Sequence, residues 1–266
     1  MITAISAVRA KHSPASNTDR SGDVVLDCIG VSARYGAIQV CFDISLHVER
    51  GETLVVLGPN GAGKSSLLGA IAGSVRGGGE VGLMGRDVSR LSASDRAACG
   101  IAFVPEARGN IFPTLSVREN LELGLRMVPA SEKVQARAFL LDLFPILADR
   151  LSAAAGMMSG GEQQMLAVAM AAARRPAVIL LDEPTQGLAP VIYDHLEQAF
   201  IVLKREGAAL LVAEQNLPFV KRIADRFVVL SEGRLTFSGG ADDLSKEDAV
   251  VASFFGAAST VSGEMR

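Results

Sequence analysis

A short run, GPNGAGKSS at Gly58–Ser66, constrains the fold of this chain more than any other part of its sequence. It follows an apolar run, Thr53–Leu57, and has the spacing Gly58-x-x-x-x-Gly63-Lys64-Ser65. Glycines let the backbone curl so that its N–H groups point at an anion, and a following helix adds its positive N-terminal dipole. The run therefore predicts a strand, a phosphate-binding loop and a helix in that order.

The residue types in this loop predict how it would hold a nucleoside triphosphate. Lys64 would reach the β- and γ-phosphates, and the Ser65 hydroxyl would hold Mg²⁺. An ordinary glycine-rich turn is the alternative, but every fixed position of the pattern is matched between a strand and a helix. The remaining predicted nucleotide contacts in the loop are Gly58, Asn60, Gly61, Gly63 and Ser66.

Composition narrows the class of protein further. Nearly half of the residues are apolar, but aromatic residues are few and tryptophan is absent, which suits helices packed against a buried sheet. The net charge of −3 gives no sign of a basic surface, so we expect no nucleic-acid partner. The three cysteines and three histidines are scattered, which predicts a reducing compartment, no disulfide framework and no protein-built metal site.

The sequence predicts neither a membrane-spanning helix nor a secretory signal. No apolar stretch approaches the length of a membrane-spanning helix. Residues 1–22 are rich in Ser, Ala and basic residues and lack the apolar core of a secretory signal. We expect a disordered tail there rather than a transit peptide, and a frayed tail at residues 257–266. Any membrane contact would then come through a partner.

Strand and helix patterns alternate along residues 23–256, which predicts an α/β fold with a mostly parallel sheet. Residues 107–158 are helical in pattern and indicate a helical subdomain inserted into that core. The predicted strands are Val24–Ala33, Gln39–Val48, Thr53–Leu57, a short pair around Gly77–Gly82, Ile101–Val104, Ala177–Leu181, Ala208–Ala213, Phe227–Leu230 and Leu235–Ser238. The predicted helices follow the phosphate loop to residue 73, then run from Ser116 to about Arg126, over Ser131–Arg150, after Ser159, near Val191–Arg205 and over Asp242–Phe255.

A pair of acids follows the apolar strand Ala177–Leu181. Asp182 and Glu183 come at its carboxyl end, where open α/β sheets bind ligands. Asp182 is placed to hold Mg²⁺, and Glu183 to polarise an attacking water. Adjacent acids at a strand end are often only a solvated turn, but a phosphate loop in the same chain favours the functional interpretation.

The run Ser159-Gly-Gly-Glu-Gln163 is the third element of the predicted site. Ser159 and Glu162 have the spacing of a capping box, so they mark a helix N-terminus. The two glycines leave backbone N–H groups uncovered, and such a tip can bind an anion. A plain helix cap is the alternative.

Taken together, GPNGAGKSS, MSGGEQQ, VILLDEP and TQGLAP (Thr185–Pro190) resemble the ATP-binding subunit of an ABC transporter. The resemblance covers about residues 24–256 and implies a P-loop ATPase core with an N-terminal antiparallel β subdomain and an inserted helical subdomain. It also implies a head-to-tail dimer that holds two ATP molecules with Mg²⁺. Ser159, Gly161 and Gln163 would then contact ATP bound to the partner, and Gly187-Leu188 would lie in the turn that crosses the dimer interface.

The same resemblance implies roles for three further residues. Tyr35 sits where the family places an aromatic ring that stacks on adenine, although a tyrosine there could also pack on the core. Glu106 stands where the family usually has a Gln that meets Mg²⁺. Gln215 stands where it usually has a His that contacts the γ-phosphate, and Gln can donate a hydrogen bond but carries no charge. Whether this chain's own site is slower for that reason, or fully active with Glu183 present, stays open.

These departures, with VPEARGNIFPTLSVRENL (Val104–Leu121), resemble the second ATP-binding subunit of importers for branched-chain amino acids, amides or urea. The resemblance implies a second, different ATPase subunit as partner (a homodimer in isolation), two integral membrane permeases and a separate solute-binding protein. Phe112–Thr114 would then lie near the groove that receives a permease helix. We therefore expect a location on the cytoplasmic face of the cell membrane. The alternatives are a non-transport ABC ATPase of translation or DNA repair and a P-loop kinase, but no tandem halves, coiled-coil arms or basic patches support the first, and the second predicts no Ser159–Gln163 motif.

Overall fold

A computed structural model describes residues 23–246 of the chain. The N-terminal part is built from strands β1 (Val24–Tyr35), β2 (Ile38–Glu49), β3 (Thr53–Leu57), β4 (Arg76–Leu83), β5 (Arg86–Asp87) and β6 (Ile101–Val104), with helices α1 (Lys64–Ala72) and α2 (Ala93–Cys99). Then come helices α3 (Val117–Gly124), α4 (Lys133–Leu143), α5 (Ile146–Asp149) and α6 (Gly160–Ala172). The last part comprises β7 (Val178–Asp182), α7 (Val191–Arg205), β8 (Ala209–Glu214), α8 (Leu217–Ile223), β9 (Arg226–Ser231), β10 (Arg234–Gly240) and α9 (Ala241–Lys246).

These strands form two sheets. The first has four strands in the order β2-β1-β4-β5, and its pairings are antiparallel. The second has six strands in the order β10-β9-β3-β8-β7-β6, parallel except for the pairing of β10 with β9. The expected fold, an α/β core with an antiparallel β layer and helical segments between β6 and β7, is confirmed.

Strand β3 is a continuous apolar run because hydrophobic clusters cover both of its faces. Val55 and Leu57 point to one hydrophobic cluster, which includes α6, α7 and the inserted helices. Leu54 and Val56 point to the other cluster, which includes α1 and the antiparallel sheet. Because both faces of the strand are covered, alternation between apolar and polar residues is lost, and the carboxyl end of β3 is held rigidly beneath the phosphate loop.

The inserted helices depart from the expected pattern at two points. The prediction of one helix over Ser131–Arg150 is wrong, because Pro145 interrupts it and Phe144 takes a non-helical conformation. The helix from Ser116 has the predicted capping box but ends at Gly124, after which Leu125–Met127 form a 3₁₀ turn.

Two short helices were not predicted from the sequence. Helix α2 is capped by Ser92, whose hydroxyl accepts a hydrogen bond from the Asp95 N–H at 3.2 Å. Helix α8 is capped by Asn216 and has Pro218 in its first turn, which are sequence signals of a helix start. The predicted tails at residues 1–22 and 257–266, and the predicted helix beyond Lys246, lie outside the described residues.

Candidate functional site

The phosphate loop joins β3 to α1 in a conformation that requires its glycines. Gly63 has a φ of +104°, and a Cβ there would lie 3.0 Å from the Cys41 Sγ. A Cβ on Gly58 would lie only 2.4 Å from the carbonyl oxygen of Leu230. Gly63 is also the N-cap of α1, so no side chain covers the first N–H groups of that helix, and they stay available for an anion.

Lys64 lies at the centre of the loop. Its Nζ donates hydrogen bonds to the carbonyl oxygens of Gly58 at 2.9 Å and Pro59 at 3.2 Å. The same nitrogen forms an ion pair with the Glu183 Oε1 at 2.9 Å, and both side chains are almost completely buried. The lysine charge is therefore held in place by the loop and by the end of a different strand.

Ser65, the residue after Lys64, contacts Asp182. The Ser65 hydroxyl donates a hydrogen bond to the Asp182 Oδ1 at 3.0 Å. The pKa of Asp182 is raised to about 6, chiefly by burial. The nearby carboxylates of Glu106 and Glu183 contribute to this rise, while the hydrogen bond from Ser65 and the charge of Lys64 oppose it. A buried carboxylate in this state gains from a bound cation, and a hydroxyl with carboxylates is the oxygen donor set that Mg²⁺ prefers.

Glu183 and Gln215 come together from the ends of β7 and β8. Glu183 has a φ of +46°, an uncommon conformation for a residue with a side chain. Its backbone N–H donates to the carbonyl oxygen of Ala213 at 2.9 Å, which fixes the turn. Its Oε2 accepts a hydrogen bond from the Gln215 Nε2 at 3.2 Å.

The remaining predicted residues of this half of the site lie around its rim. Tyr35 is 54% exposed, and its hydroxyl accepts a hydrogen bond from the Ser66 Oγ at 3.4 Å, so its ring stands beside the loop rather than in the core. Glu106 is exposed just after β6 and close enough to act on Asp182. Asn60 and Gly61 are exposed at the loop tip.

The predicted helix tip at Ser159 is held by its own capping box and by an ion pair between Glu162 and Arg150 at 3.1 Å. Ser159 caps α6, and its hydroxyl accepts a hydrogen bond from the Glu162 N–H while the Glu162 carboxylate accepts one from the Ser159 N–H. Gly161 is buried, and a Cβ there would lie 2.5 Å from Ile192. Gln163 donates to the carbonyl oxygen of Ala155 at 3.1 Å. Within residues 23–246 no hydrogen bond or ion pair joins this tip to the phosphate loop.

Sequence analysis missed two residues beside these features. The Arg108 guanidinium lies 3.3 Å from the position that a Cβ on Gly160 would take, and its buried Nε has no hydrogen-bond partner. Arg108 has a φ of +57°, and its short 3₁₀ turn gives no periodic signal in the sequence. Cys41 donates its thiol to the carbonyl oxygen of Gly63 at 3.3 Å, a contact that no local pattern predicts.

The described residues contain neither a cluster of metal-ligating side chains nor a membrane-spanning helix. Across residues 23–246 no group of three or more His, Cys, Asp or Glu side chains is arranged to hold a metal ion. Mg²⁺ usually keeps several water ligands and binds through one or two protein oxygens, a demand that the pair Ser65–Asp182 can meet. The helices in the same part of the chain are all too short or too polar to cross a membrane.

Comparison with known proteins agrees with this geometry. The family model described as "ABC transporter" matches residues 41–186. The chain therefore belongs to the ABC transporter family and is of its ATP-binding, ATP-hydrolysing type, as the resemblance in the sequence implied.

The individual relatives are more specific. The chain is 40% identical over 206 residues to the high-affinity branched-chain amino acid transport ATP-binding protein BraG of Pseudomonas aeruginosa, covering 77% of this chain and 88% of the relative. It is 34% identical over 229 residues to the probable branched-chain amino acid transport ATP-binding protein LivF of Archaeoglobus fulgidus, covering 84% and 95%.

Solved structures give the same fold. An ATP-binding subunit of an ABC transporter matches with a TM-score of 0.73 and 28% identity, over 85% of this chain and 93% of that one. The ADP conformation of another ATP-binding cassette matches with a TM-score of 0.78 over 87% and 98%. At 23% identity, this second likeness supports the fold alone.

Proposed function

We propose that this chain powers an importer of branched-chain amino acids, with short amides or urea as the alternative solutes. The similarity to BraG and LivF supports this substrate class. The observation that carries the motor role is the buried cluster at the strand ends, where Lys64 and Gln215 both contact the Glu183 carboxylate.

The contacts of Glu183 suggest how binding prepares hydrolysis. A γ-phosphate would compete with Glu183 for the Lys64 ammonium, since both are anions that need the same charge. Lys64 would then turn to the phosphates, and the Glu183 carboxylate would be free to orient a water for attack, as a general base does. Gln215 would keep the Glu183 side chain in place during that exchange.

The proposed site also includes a magnesium ion. Ser65 and Asp182 would hold Mg²⁺, and Glu106 would stand nearby as an additional negative charge. When bound, the ion would supply positive charge that offsets the negative charge developing on the transferring group. Tyr35 would stack on the adenine from the loop rim.

The helix tip at Ser159 supports a composite site made by two subunits. Its exposed N-terminus carries the positive end of the helix dipole, and the Arg108 guanidinium lies beside Gly160, with a buried Nε that has no hydrogen-bond partner. We propose that Ser159, Gly161 and Gln163 line ATP held by the phosphate loop of a second ATP-binding subunit, which in the transporter is a different chain.

An exposed apolar surface supports the membrane partners. Phe112 is 51% exposed and Met157 is 85% exposed. The Gly156 N–H donates to the Pro113 carbonyl at 2.8 Å and so draws the two segments together. We propose that two permease subunits dock there, which would keep the chain on the cytoplasmic face of the membrane, and that a separate solute-binding protein delivers the solute.

One experiment tests the motor role and the partners together. Glu183→Gln keeps the shape of the side chain but removes the carboxylate, so ATP hydrolysis should fall by about 10²-fold or more while ATP stays bound. We would purify this variant with ATP from gently solubilised native membranes and identify the associated proteins by mass spectrometry. Two integral membrane proteins and a second ATPase are expected. Unchanged hydrolysis would contradict the role of Glu183, and recovery with ribosomal or DNA-bound proteins would contradict transport.

A further inference from the structure

The carboxylate of Glu214 is the most completely hydrogen-bonded acid near the nucleotide site. It ends β8 and is only 1% exposed. Its Oε1 accepts hydrogen bonds from the Thr185 N–H at 3.0 Å and the Thr185 hydroxyl at 2.5 Å. Its Oε2 accepts from the N–H groups of Gln215 at 2.9 Å and Asn216 at 3.1 Å.

Every one of these donors lies on a segment that carries a site residue. Thr185 is two residues after Glu183, on the turn that leaves β7, and Gln215 directly follows Glu214. A carboxylate has about four lone-pair directions, so all of them are used, two for each segment. Within residues 23–246 no basic side chain pairs with Glu214, so its charge is compensated by these N–H and O–H groups.

Two further hydrogen bonds also join the turn after β7 to the loop after β8. The Glu183 N–H donates to the carbonyl oxygen of Ala213, the residue before Glu214. The Gln215 side chain donates to the Glu183 carboxylate. Hydrogen bonds from the backbone, from the Glu214 carboxylate and from the Gln215 side chain therefore join the turn after β7 to the loop after β8. These bonds restrict how Glu183 and Gln215 can move relative to each other.

We infer that Glu214 is a positioning residue for ATP hydrolysis: it ties Thr185 to Gln215 and so fixes Glu183 against Gln215. This inference rests on the proposed roles of Glu183 and Gln215. Glu214 itself touches neither Lys64 nor the phosphate loop through any hydrogen bond or ion pair of the described chain. It should therefore affect the rate of the chemical step more than the affinity for ATP.

The test replaces the carboxylate by an amide. In Glu214→Gln one oxygen remains, and the NH₂ group that replaces the other cannot accept, so at least one of the four bonds is lost. We expect kcat for ATP hydrolysis by the full-length chain in its membrane complex to fall roughly 10- to 100-fold. The KM for ATP should stay within about twofold, because the phosphate loop is unchanged.

Two smaller substitutions at Thr185 test the same role in case Glu214→Gln does not fold. Thr185→Val removes only the hydroxyl donor and should lower kcat several-fold, while Thr185→Ser should restore it because the hydroxyl is kept. Glu206→Gln is the matched control, because Glu206 pairs with Arg175 at 3.2 Å away from the site residues, and its kcat should not change.

The outcomes separate this inference from the proposal on which it rests. If Glu183→Gln abolishes hydrolysis while Glu214→Gln and Thr185→Val both keep the normal kcat, only the positioning role is overturned. It is also overturned if both variants raise KM with kcat unchanged. If Glu183→Gln itself hydrolyses ATP at the normal rate, the proposed function fails first.

Discussion

The phosphate loop and the helix tip at Ser159 are both built to meet an anion, but they are supported in different ways. At the loop, Lys64 and Ser65 bond to groups from other strands, Glu183 and Asp182. At the tip, Ser159 and Glu162 bond to each other within one turn of helix, and Glu162 also pairs with Arg150 just before it in the chain. In the proposed composite site, the loop would be the half whose chemistry is already assembled, and the tip would act on a nucleotide held by a second molecule.

This contrast predicts that the two regions fail differently when mutated. A change in the loop should remove ATP binding by this chain. A change at the tip should leave that binding intact and prevent hydrolysis only in the assembled dimer.

Lys64→Ala should weaken ATP binding by about 100-fold or more, because charge-assisted hydrogen bonds to the phosphates are lost. Titration of the purified full-length chain with a fluorescent ATP analogue would measure the dissociation constant. Lys204→Ala is the control, since Lys204 pairs with Asp225, and its affinity should be normal. Normal affinity in Lys64→Ala would refute the assignment of the phosphate loop.

Ser159→Arg should reduce steady-state hydrolysis by the complex by roughly tenfold or more, since a bulky cation replaces the hydroxyl at the helix tip. The affinity of the isolated chain for ATP should stay within about twofold. Ser92→Arg removes a comparable helix cap on α2, which costs about 1 kcal/mol, and should leave hydrolysis unchanged. Loss of ATP affinity in isolated Ser159→Arg would show that tip and loop form one site within the chain.

Asp182→Asn should stabilise the nucleotide-free protein at pH 7 while it impairs Mg²⁺-dependent hydrolysis. Burial raises the pKa of Asp182 from 3.8 to about 6 in the folded state, so the folded chain binds more protons than the unfolded chain between these values. The charged carboxylate therefore costs stability increasingly as pH rises through this range, up to about 3 kcal/mol above pH 6.

Thermal unfolding of both proteins at pH 4.5, 6 and 7.5 would measure this effect. The advantage of Asp182→Asn should be largest at pH 7.5 and shrink toward pH 4.5, where wild-type Asp182 is protonated when folded. A variant less stable than wild type at pH 7.5 would contradict it, and would indicate that the bond from Ser65 outweighs the cost of burial.

Local patterns predicted much of the fold. Buried strands such as β3 and β7 are apolar runs in the sequence, and the capping boxes at Ser116 and Ser159 marked true helix starts. The single helix over Ser131–Arg150 was wrong because its apolar spacing continued across Pro145, which lacks an N–H to donate. Helices α2 and α8 were missed because seven residues are too few to show a helical period.

The phosphate loop, the two acids after β7 and the cap at Ser159 could be predicted from local sequence, because each depends on residues close together in the chain. The pairing of Lys64 with Glu183, the contact of Gln215 with the same carboxylate and the link from Thr185 through Glu214 to Gln215 came from the folded structure alone. These contacts form because β3, β7 and β8 are adjacent and parallel, so their carboxyl ends meet at one edge of the sheet. Strand order depends on packing over the whole chain, and no local pattern encodes it.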